Sequence, residues 1–443
     1  MNNLAVRRAT FRLYPTPQVN ATLKEHRRLH KCLYNAALYH RKSSYEYFGY
    51  AVDYLDQQNL LPAFKQYYPE YQQIHSQALQ ATVKRVDFAF CRFFAGLGGY
   101  PKFKSIRNYS GWTYPATSGW KVHSTGKHGY LELSKIGQIR MRGEARLWGR
   151  PTTCTILYRQ GKWFVSITLD IDDQLLKQSR PTGTGAVGID IGCKVALAIT
   201  DGENHQMIEA PKFLRNAEAS IKKASKLKRR KRAPNHKKGV KASSRWKKAA
   251  VKVRKIMRKV ANSRANWVHQ VATEIVRCNS LVATEELEVA KMTRKSKKQR
   301  KKQKAGLNKS ILDVGFGMLG ATIKYKVEEA GGVFAQVPTK KVKPSQRCPG
   351  CGNCQPKTLS ERVHTCECGI QLDRDIAAAL VCLLWAVGKL PGDGMSLDKR
   401  RASSSTSSAK ERKFCGSMAQ LGAMKRQKSQ PTVGDAETPT STK

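Results

Sequence analysis

Residues 186–192 read AVGIDIG and residues 194–200 read KVALAIT. The first run is a short apolar strand carrying one carboxylate, Asp190, in its middle. The second follows almost at once, the DGEN turn at 201–204 comes next, and QMIEA at 206–210 closes a pattern of three antiparallel strands. Burying a lone carboxylate in a sheet is costly, so Asp190 calls for a partner or a metal ion. A structural Asp held by backbone amides is the bland alternative.

Downstream, residues 281–287 (LVATEEL) form another apolar strand, ending in Glu285 and Glu286. A strand that ends in an acid beside Asp190 brings two carboxylates to one sheet edge, and oxygen ligands of this kind suit Mg²⁺ or Mn²⁺. A third acid lies in LDRDIAAALVCLLWA, residues 372–386. Asp373 is placed as a helix N-cap. Asp375 comes two residues later, roughly 200° around the helix. The small Ala378 and Ala379 at i+3 and i+4 let that face come close to a sheet. On this spacing Asp375 goes to the site and Asp373 to the cap, and the reverse assignment stays open. Strand-Asp, strand-Glu and helix-Asp together suit two-metal phosphodiester hydrolysis, with the ions roughly 3.5–4 Å apart. The sequence shows no Ser/His/Asp or Cys/His nucleophile pattern and no G-x-x-x-x-G-K-[ST] loop.

Five of the twelve cysteines fall between residues 348 and 368. Cys348-Pro-Gly-Cys351 is a C-x-x-C knuckle, and Cys366-Glu-Cys368 is a second one shortened by a residue. Four thiolates on two short turns are a structural Zn²⁺ pattern, with Cys354 and His364 as alternative ligands. A redox C-x-x-C would need thioredoxin-like elements around it, and these are missing. The other cysteines are scattered, which fits a reducing compartment better than a disulfide framework.

The chain carries 81 Lys+Arg against 32 Asp+Glu, a formal net charge of +49, and its 40% apolar content is enough for real cores. Such a charge needs a polyanion to offset it, and the regular phosphates of nucleic acid fit best. Residues 219–273 contain no acid at all, and 291–309 is a second basic block. Both could be solvated faces, but they lie between the acids and read better as the lining of a duplex channel. Val251, Ile256, Val260, Trp267 and Val271 give the first block an apolar helical stripe. The most apolar run, 376–387, is too short to span a bilayer and the N-terminus has no signal region, so no membrane partner is expected.

Residues 5–14 (AVRRATFRLY) alternate as a strand that Pro15 and Pro17 end. Helical periodicity runs through 18–96, with Leu23, His26, Leu29, Leu33 and Leu38, then Leu79, Val83 and Val86. From 100 to 177 short β runs alternate with Gly, Pro and Asn, and 153–159 (TCTILYR) with 162–169 (KWFVSITL) reads as a hairpin around Gln160-Gly161. These strands are expected to make a small barrel with the first. Tyr100, Lys102, Phe103, Lys104, Tyr109, Trp112, Tyr114 and Trp120 interleave aromatic and basic groups, suited to stacking on bases and holding phosphates, or to an ordinary β core. Residues 178–185 read as a linker, and 391–443, rich in Ser, Thr, Lys and Arg, as a disordered basic tail.

Taken in order, GIDIG, TEEL, and CPGCG…CECG leading into DRDIAAA resemble the TnpB proteins of insertion sequences, relatives of the type V CRISPR nucleases. The likeness covers residues 5–390 and includes SILDVGFGMLGATIKYKVEEAGGVFAQV at 310–337. It implies a multidomain α+β fold. A β-barrel wedge domain at 1–20 and 97–180 would be interrupted by a helical recognition domain at 21–96. An RNase H-like (RuvC) α/β nuclease domain at 186–343 and 373–390 would follow, with an inserted zinc ribbon-like, target nucleic-acid-binding module at 344–372. The resemblance further implies an RNA-guided DNA endonuclease that supports transposon maintenance, with a guide RNA from the transposon end and double-stranded target DNA as partners. An RNA-guided DNA-binding repressor, or a transposition accessory protein without cleavage, is the alternative. Asp190, Glu285 and Asp375 would be catalytic and hold Mg²⁺ or Mn²⁺, while Cys348, Cys351, Cys366 and Cys368 would hold zinc. Two positions depart from the family pattern: Ala377, where Asn is frequent, and the shortened second knuckle. A monomer acting in a prokaryotic cytoplasm, at the nucleoid, is compatible with this reading.

Overall fold

The computed structural model describes residues 4–179, 181–235, 239–294, 301–358 and 360–391. All of the expected basic tail but Pro391 lies outside the described residues, as does the middle of the second basic block. The chain divides into two units, Met1–Ser179 and Arg180–Lys443.

In the first unit, β1 (Leu4–Tyr14) stops at Pro15, as expected. Helix α1 (Pro17–Phe48) starts on Pro17, capped by the Thr16 hydroxyl, which accepts from the Val19 N–H at 3.4 Å. Three further helices follow, α2 (Tyr54–Asn59), α3 (Leu61–Tyr67) and α4 (Ser76–Phe94), with a 3₁₀ turn at Pro69–Gln73. Then come β2 (Gly111–Tyr114), β3 (Trp120–His123), β4 (Lys127–Leu133), β5 (Gly137–Glu144), β6 (Arg150–Arg159), β7 (Lys162–Asp172) and α5 (Asp173–Ser179). The β6–β7 hairpin turns at Gln160 (φ +52°) and Gly161 (φ +81°). Two successive left-handed residues match the twist of a tight hairpin.

The seven strands lie in the order β2-β6-β7-β1-β5-β4-β3. β1 joins the two halves, pairing with β7 along most of its length and with β5 from Arg12 to Tyr14. A small barrel was expected, and the strands form one seven-stranded sheet. The end strands β2 and β3 are unpaired with each other, and at four residues each they are too short to supply a closing ladder. Helices and sheet share one core rather than forming two separate ones. α4 inserts Leu79, Val83 and Val86, spaced at i, i+4 and i+7; each such buried aliphatic contributes about 1.5–3 kcal/mol. From α1, His30 stacks on Trp112 at 5.2 Å between ring centroids and bonds the Thr82 hydroxyl at 2.8 Å. Of the aromatic series read from the sequence, Tyr109, Trp112, Tyr114 and Trp120 are therefore core residues, whereas Tyr100 and Phe103 are exposed.

The second unit opens with β8 (Gly185–Asp190), β9 (Val195–Thr200) and β10 (His205–Glu209), the antiparallel trio expected from the sequence. Two basic helices, α6 (Phe213–Arg229) and α7 (Ser244–Cys278), cross to β11 (Asn279–Glu285). Next are α8 (Val289–Met292), α9 (Lys301–Val314), α10 (Phe316–Glu329), β12 (Val333–Val337) and α11 (Thr339–Val342). A small hairpin, β13 (Val363–Thr365) and β14 (Gln371–Asp373), leads into α12 (Arg374–Ala386). The sheet order is β10-β9-β8-β11-β12, with β8, β11 and β12 parallel. Of the expected α7 stripe, Val260, Trp267 and Val271 are buried but Val251 is 54% exposed. Burial concentrates in the C-terminal half of α7, which meets α10 and β11, while its N-terminal half is mostly solvated. Among the described residues no helix is long and apolar enough to cross a membrane.

Asp313, near the end of α9, was not singled out from the sequence. It is buried, and its carboxylate accepts from the backbone N–H groups of Leu214 (2.8 Å) and Arg215 (3.2 Å) at the start of α6 and pairs with Arg264 of α7 at 3.1 Å. It thus caps a helix whose own N-cap residue, Lys212, makes no capping bond. Asp313→Ala leaves Arg264 without its carboxylate and two amides unsatisfied. A loss of about 3–5 kcal/mol is expected in urea unfolding of the variant, and a loss below ~1 kcal/mol would contradict this role.

Candidate active site and cysteine cluster

β8 and β11 run in parallel register, with Ala283 opposite Gly188 and Thr284 opposite Ile189. The next residue on each strand is an acid, so Asp190 and Glu285 stand side by side at the C-terminal ends of neighbouring strands. Helix α12 brings the third. Asp373 is its N-cap, accepting from the N–H groups of Asp375 (2.8 Å) and Ile376 (3.4 Å). That leaves the Asp375 side chain free of the cap. One turn on, Ala379 lies on Gly188: a Cβ at Gly188 would sit 1.9 Å from the Ala379 carbonyl oxygen. Only Gly on the strand and Ala on the helix allow this approach. It sets Asp375 at the same sheet end as Asp190, and Ala377, buried in the core side of the same helix, has no polar group to add.

The electrostatics agree. Burial, then the charges of Glu285 and Asp375, push Asp190 up to about 8. Glu285 is raised by burial, and Asp375 by burial and then by Asp373. Arg374 opposes the rise at both Asp190 and Asp375, and Arg362 and Lys194 oppose it at Asp375. These three cations around the acids were not foreseen; Arg374, inside the DRD triplet, was the only one with a local signal. The charges of Glu285 and Asp375 both contribute to the rise at Asp190. None of the three acids has an ion-pair partner among the described residues, where only the four cysteines discussed next bring three or more such ligand atoms within 4.8 Å of one another. The three carboxyls share one sheet end, although their oxygens do not all lie within 4.8 Å of one another, and such an oxygen-only donor set is one that suits hard dications.

The sign of the pH dependence follows. In the metal-free protein Asp190 keeps a proton up to about pH 8, whereas in the unfolded chain it loses it near ~3.9. The folded state holds the extra proton across that window, so stability falls as pH rises through it and levels off above. A dication competes with that proton, so its affinity rises with pH over the same range. Mn²⁺ should raise the melting temperature more at pH 8.5 than at pH 6; equal shifts at both values would contradict the assignment.

The Sγ atoms of Cys348, Cys351, Cys366 and Cys368 lie within 4.8 Å of one another. Cys348 and Cys368 are 3.6 Å apart and Cys351 and Cys366 are 3.5 Å apart. Four thiolates at ~2.3 Å from one zinc ion would be about 3.8 Å apart, so the set fits a tetrahedral ion. The short C-x-C knuckle is accommodated by Gly369 at φ +87° directly after it. The Cys368 backbone N–H, and then the Cys351 thiol, lower the Cys366 thiol to about 7. Cys354 and His364 are outside the cluster; His364 contacts Lys357 instead.

Comparison with known proteins bears on both sites. Residues 166–296 match the family model OrfB_IS605, described as "probable transposase", and residues 316–382 match the Cas12f1-like TNB domain. A protein of Streptomyces pristinaespiralis named "Putative RNA-guided DNA endonuclease" is 28% identical over 409 residues, covering 90% of this chain and 94% of that protein. InsQ of Escherichia coli K12, with the same description, is 26% identical over 299 residues, covering 66% of this chain and 69% of its own. The solved mini-RNA-guided endonuclease CRISPR-Cas_phi3 aligns at a TM-score of 0.45 and 10% identity, covering 89% of this chain and 93% of that one. The first match holds β8 with Asp190 and β11 with Glu285, the second holds the four cysteines and Asp375, and in the order of these parts the chain is similar to insertion-sequence proteins of the TnpB type.

Proposed function

We propose that this protein is an RNA-guided DNA endonuclease encoded by an insertion sequence. The single observation that carries the reading is that Asp190 and Glu285 end neighbouring strands side by side, with α12 packed on β8 bringing Asp375 to the same sheet end, in a chain of net charge +49. The names of its relatives support the guide and the DNA target. Asp190, Glu285 and Asp375 would hold Mg²⁺ or Mn²⁺. Two bound dications would supply an acidified water for attack and charge to stabilise the leaving 3′ oxygen. The chain's own work is to align the three carboxyls through the β8–β11 register and the Gly188–Ala379 contact. Cys348, Cys351, Cys366 and Cys368 would hold one structural zinc ion. Guide pairing would select the sequence, and the basic α6–α7 pair and the basic segments after α8 would hold nucleic-acid backbone. Support of transposon maintenance follows from such cutting.

The test is to purify the protein with its co-expressed RNA, sequence that RNA, and incubate the complex with matched and unmatched duplex DNA in Mg²⁺. Cutting of the matched duplex alone is expected. Tight guided binding without cutting would favour the repressor reading instead.

A further inference from the structure

One surface of the first unit stays unexplained by the nuclease row and by the cysteines. Phe90, Phe93 and Phe94 on α4 meet Tyr100 in the following loop, with ring centroids 5.8 Å (Phe90–Tyr100), 5.2 Å (Phe93–Tyr100) and 5.3 Å (Phe93–Phe94) apart. Lys42 of α1 stands over Tyr100 at 4.8 Å and over Phe103 at 5.1 Å. The cluster is not core: Phe94 is 78% exposed, Phe103 53% and Tyr100 47%. The loop that presents it is fixed, because Asn35 of α1 bonds the Lys104 backbone in both directions, at 2.9 and 3.0 Å. Exposed Arg92, Lys102 and Arg107 surround it, and the nearby acid Asp87 is already paired with Arg41 at 2.9 Å.

A contiguous aromatic patch left in water is unusual for a soluble protein and marks a binding surface. Its chemistry narrows the occupant. An apolar protein partner would have to bury these cations. Duplex nucleic acid offers phosphates but no free base faces. Unpaired nucleotides offer both, bases for the rings and phosphates for the Lys and Arg groups. The patch is preformed and permanently exposed, so it fits a resident strand better than one that appears only after a target has been opened. Resting on the guided-nuclease reading, we propose that Phe94, Tyr100 and Phe103, with Lys42, form a stacking platform for unpaired nucleotides of the protein's own RNA.

The test compares the wild-type chain with Phe94→Leu/Tyr100→Leu/Phe103→Leu, which keeps apolar bulk but removes the ring faces. Both are freed of RNA and titrated with a 12-nucleotide oligouridine carrying one 2-aminopurine, and with an RNA duplex of the same length. The variant should lose at least tenfold in affinity for the single strand and the fluorescence quenching that reports stacking. Duplex affinity should change less than threefold, and the yield of RNA co-purified from cells should fall. Conservative Phe94→Tyr/Phe103→Tyr should keep wild-type behaviour. Equal losses on single strand and duplex would reduce the patch to simple charge attraction and overturn the proposal. So would an unchanged RNA yield with a loss confined to a single-stranded DNA probe, which would assign the platform to a DNA strand. A melting temperature lowered by more than a few degrees in the variant would mark the cluster as structural and also overturn it. If the wild-type chain cuts its matched target while the platform variant binds RNA unchanged, only this inference fails. If the wild-type chain carries no RNA, both readings fail.

Discussion

Asp190→Ala is expected to abolish target cleavage, lowering the single-turnover rate about a thousandfold or more, equivalent to ~4 kcal/mol of transition-state stabilisation. The size follows from position. Asp190 lies beside Glu285 in the β8–β11 register and at the sheet end to which α12 brings Asp375, so its removal breaks up the proposed metal-binding set. RNA binding and guided DNA binding should survive, because neither depends on that side chain. Asp190→Asn should cut no better, since a neutral amide cannot replace a carboxylate as a ligand of a hard dication. Cleavage at a wild-type rate by either variant would show that the reaction takes place elsewhere.

Cys348→Ser/Cys351→Ser is the second large effect expected. The pairs Cys348–Cys368 and Cys351–Cys366 lie at 3.6 and 3.5 Å, and the three-residue strands β13 and β14 frame only the second knuckle. Zinc-bound modules of this kind draw most of their folding free energy, roughly 10–16 kcal/mol in model peptides, from the metal. Emission spectrometry should find about one zinc ion per native chain and none in the double variant. Cleavage should fall as well, because β14 runs directly into the Asp373 cap that orients α12 and Asp375. A zinc-free native chain that stays fully folded and active would refute this.

How much of this was legible beforehand depended on how local the cause was. AVGIDIG could be read as a strand because an apolar run with Gly at both ends has few other uses, and the structure has it as β8. Asp373 as cap was readable from its place before an apolar helical run, and its two accepted N–H bonds follow from that. The cysteine set was readable from spacing, while the fit of the short knuckle rests on a left-handed Gly369. Asp313 was not readable: it accepts from the N–H of Leu214, 99 residues earlier, and nothing in SILDVGFG announces that partner. α5 was missed because DQLLKQS follows the long strand β7 with neither a turn signal nor a clear helical period. The aromatic series split for a similar reason. Trp112 and Tyr114 alternate along β2 and point into the core, while Tyr100 and Phe103 sit in a loop whose pinning by Asn35 is a tertiary event.

The contact of Ala379 with Gly188 joins two points 191 residues apart, and everything between them must be made before it can form. During synthesis β8, β9 and β10 emerge early and carry Asp190, but the third acid leaves the ribosome only after the cysteine knuckles. Fragments released early, or clipped ahead of α12, would therefore hold nucleic acid through their basic helices while lacking the last member of the row. On the proposed reading, a chain that stops short of α12 cannot cut.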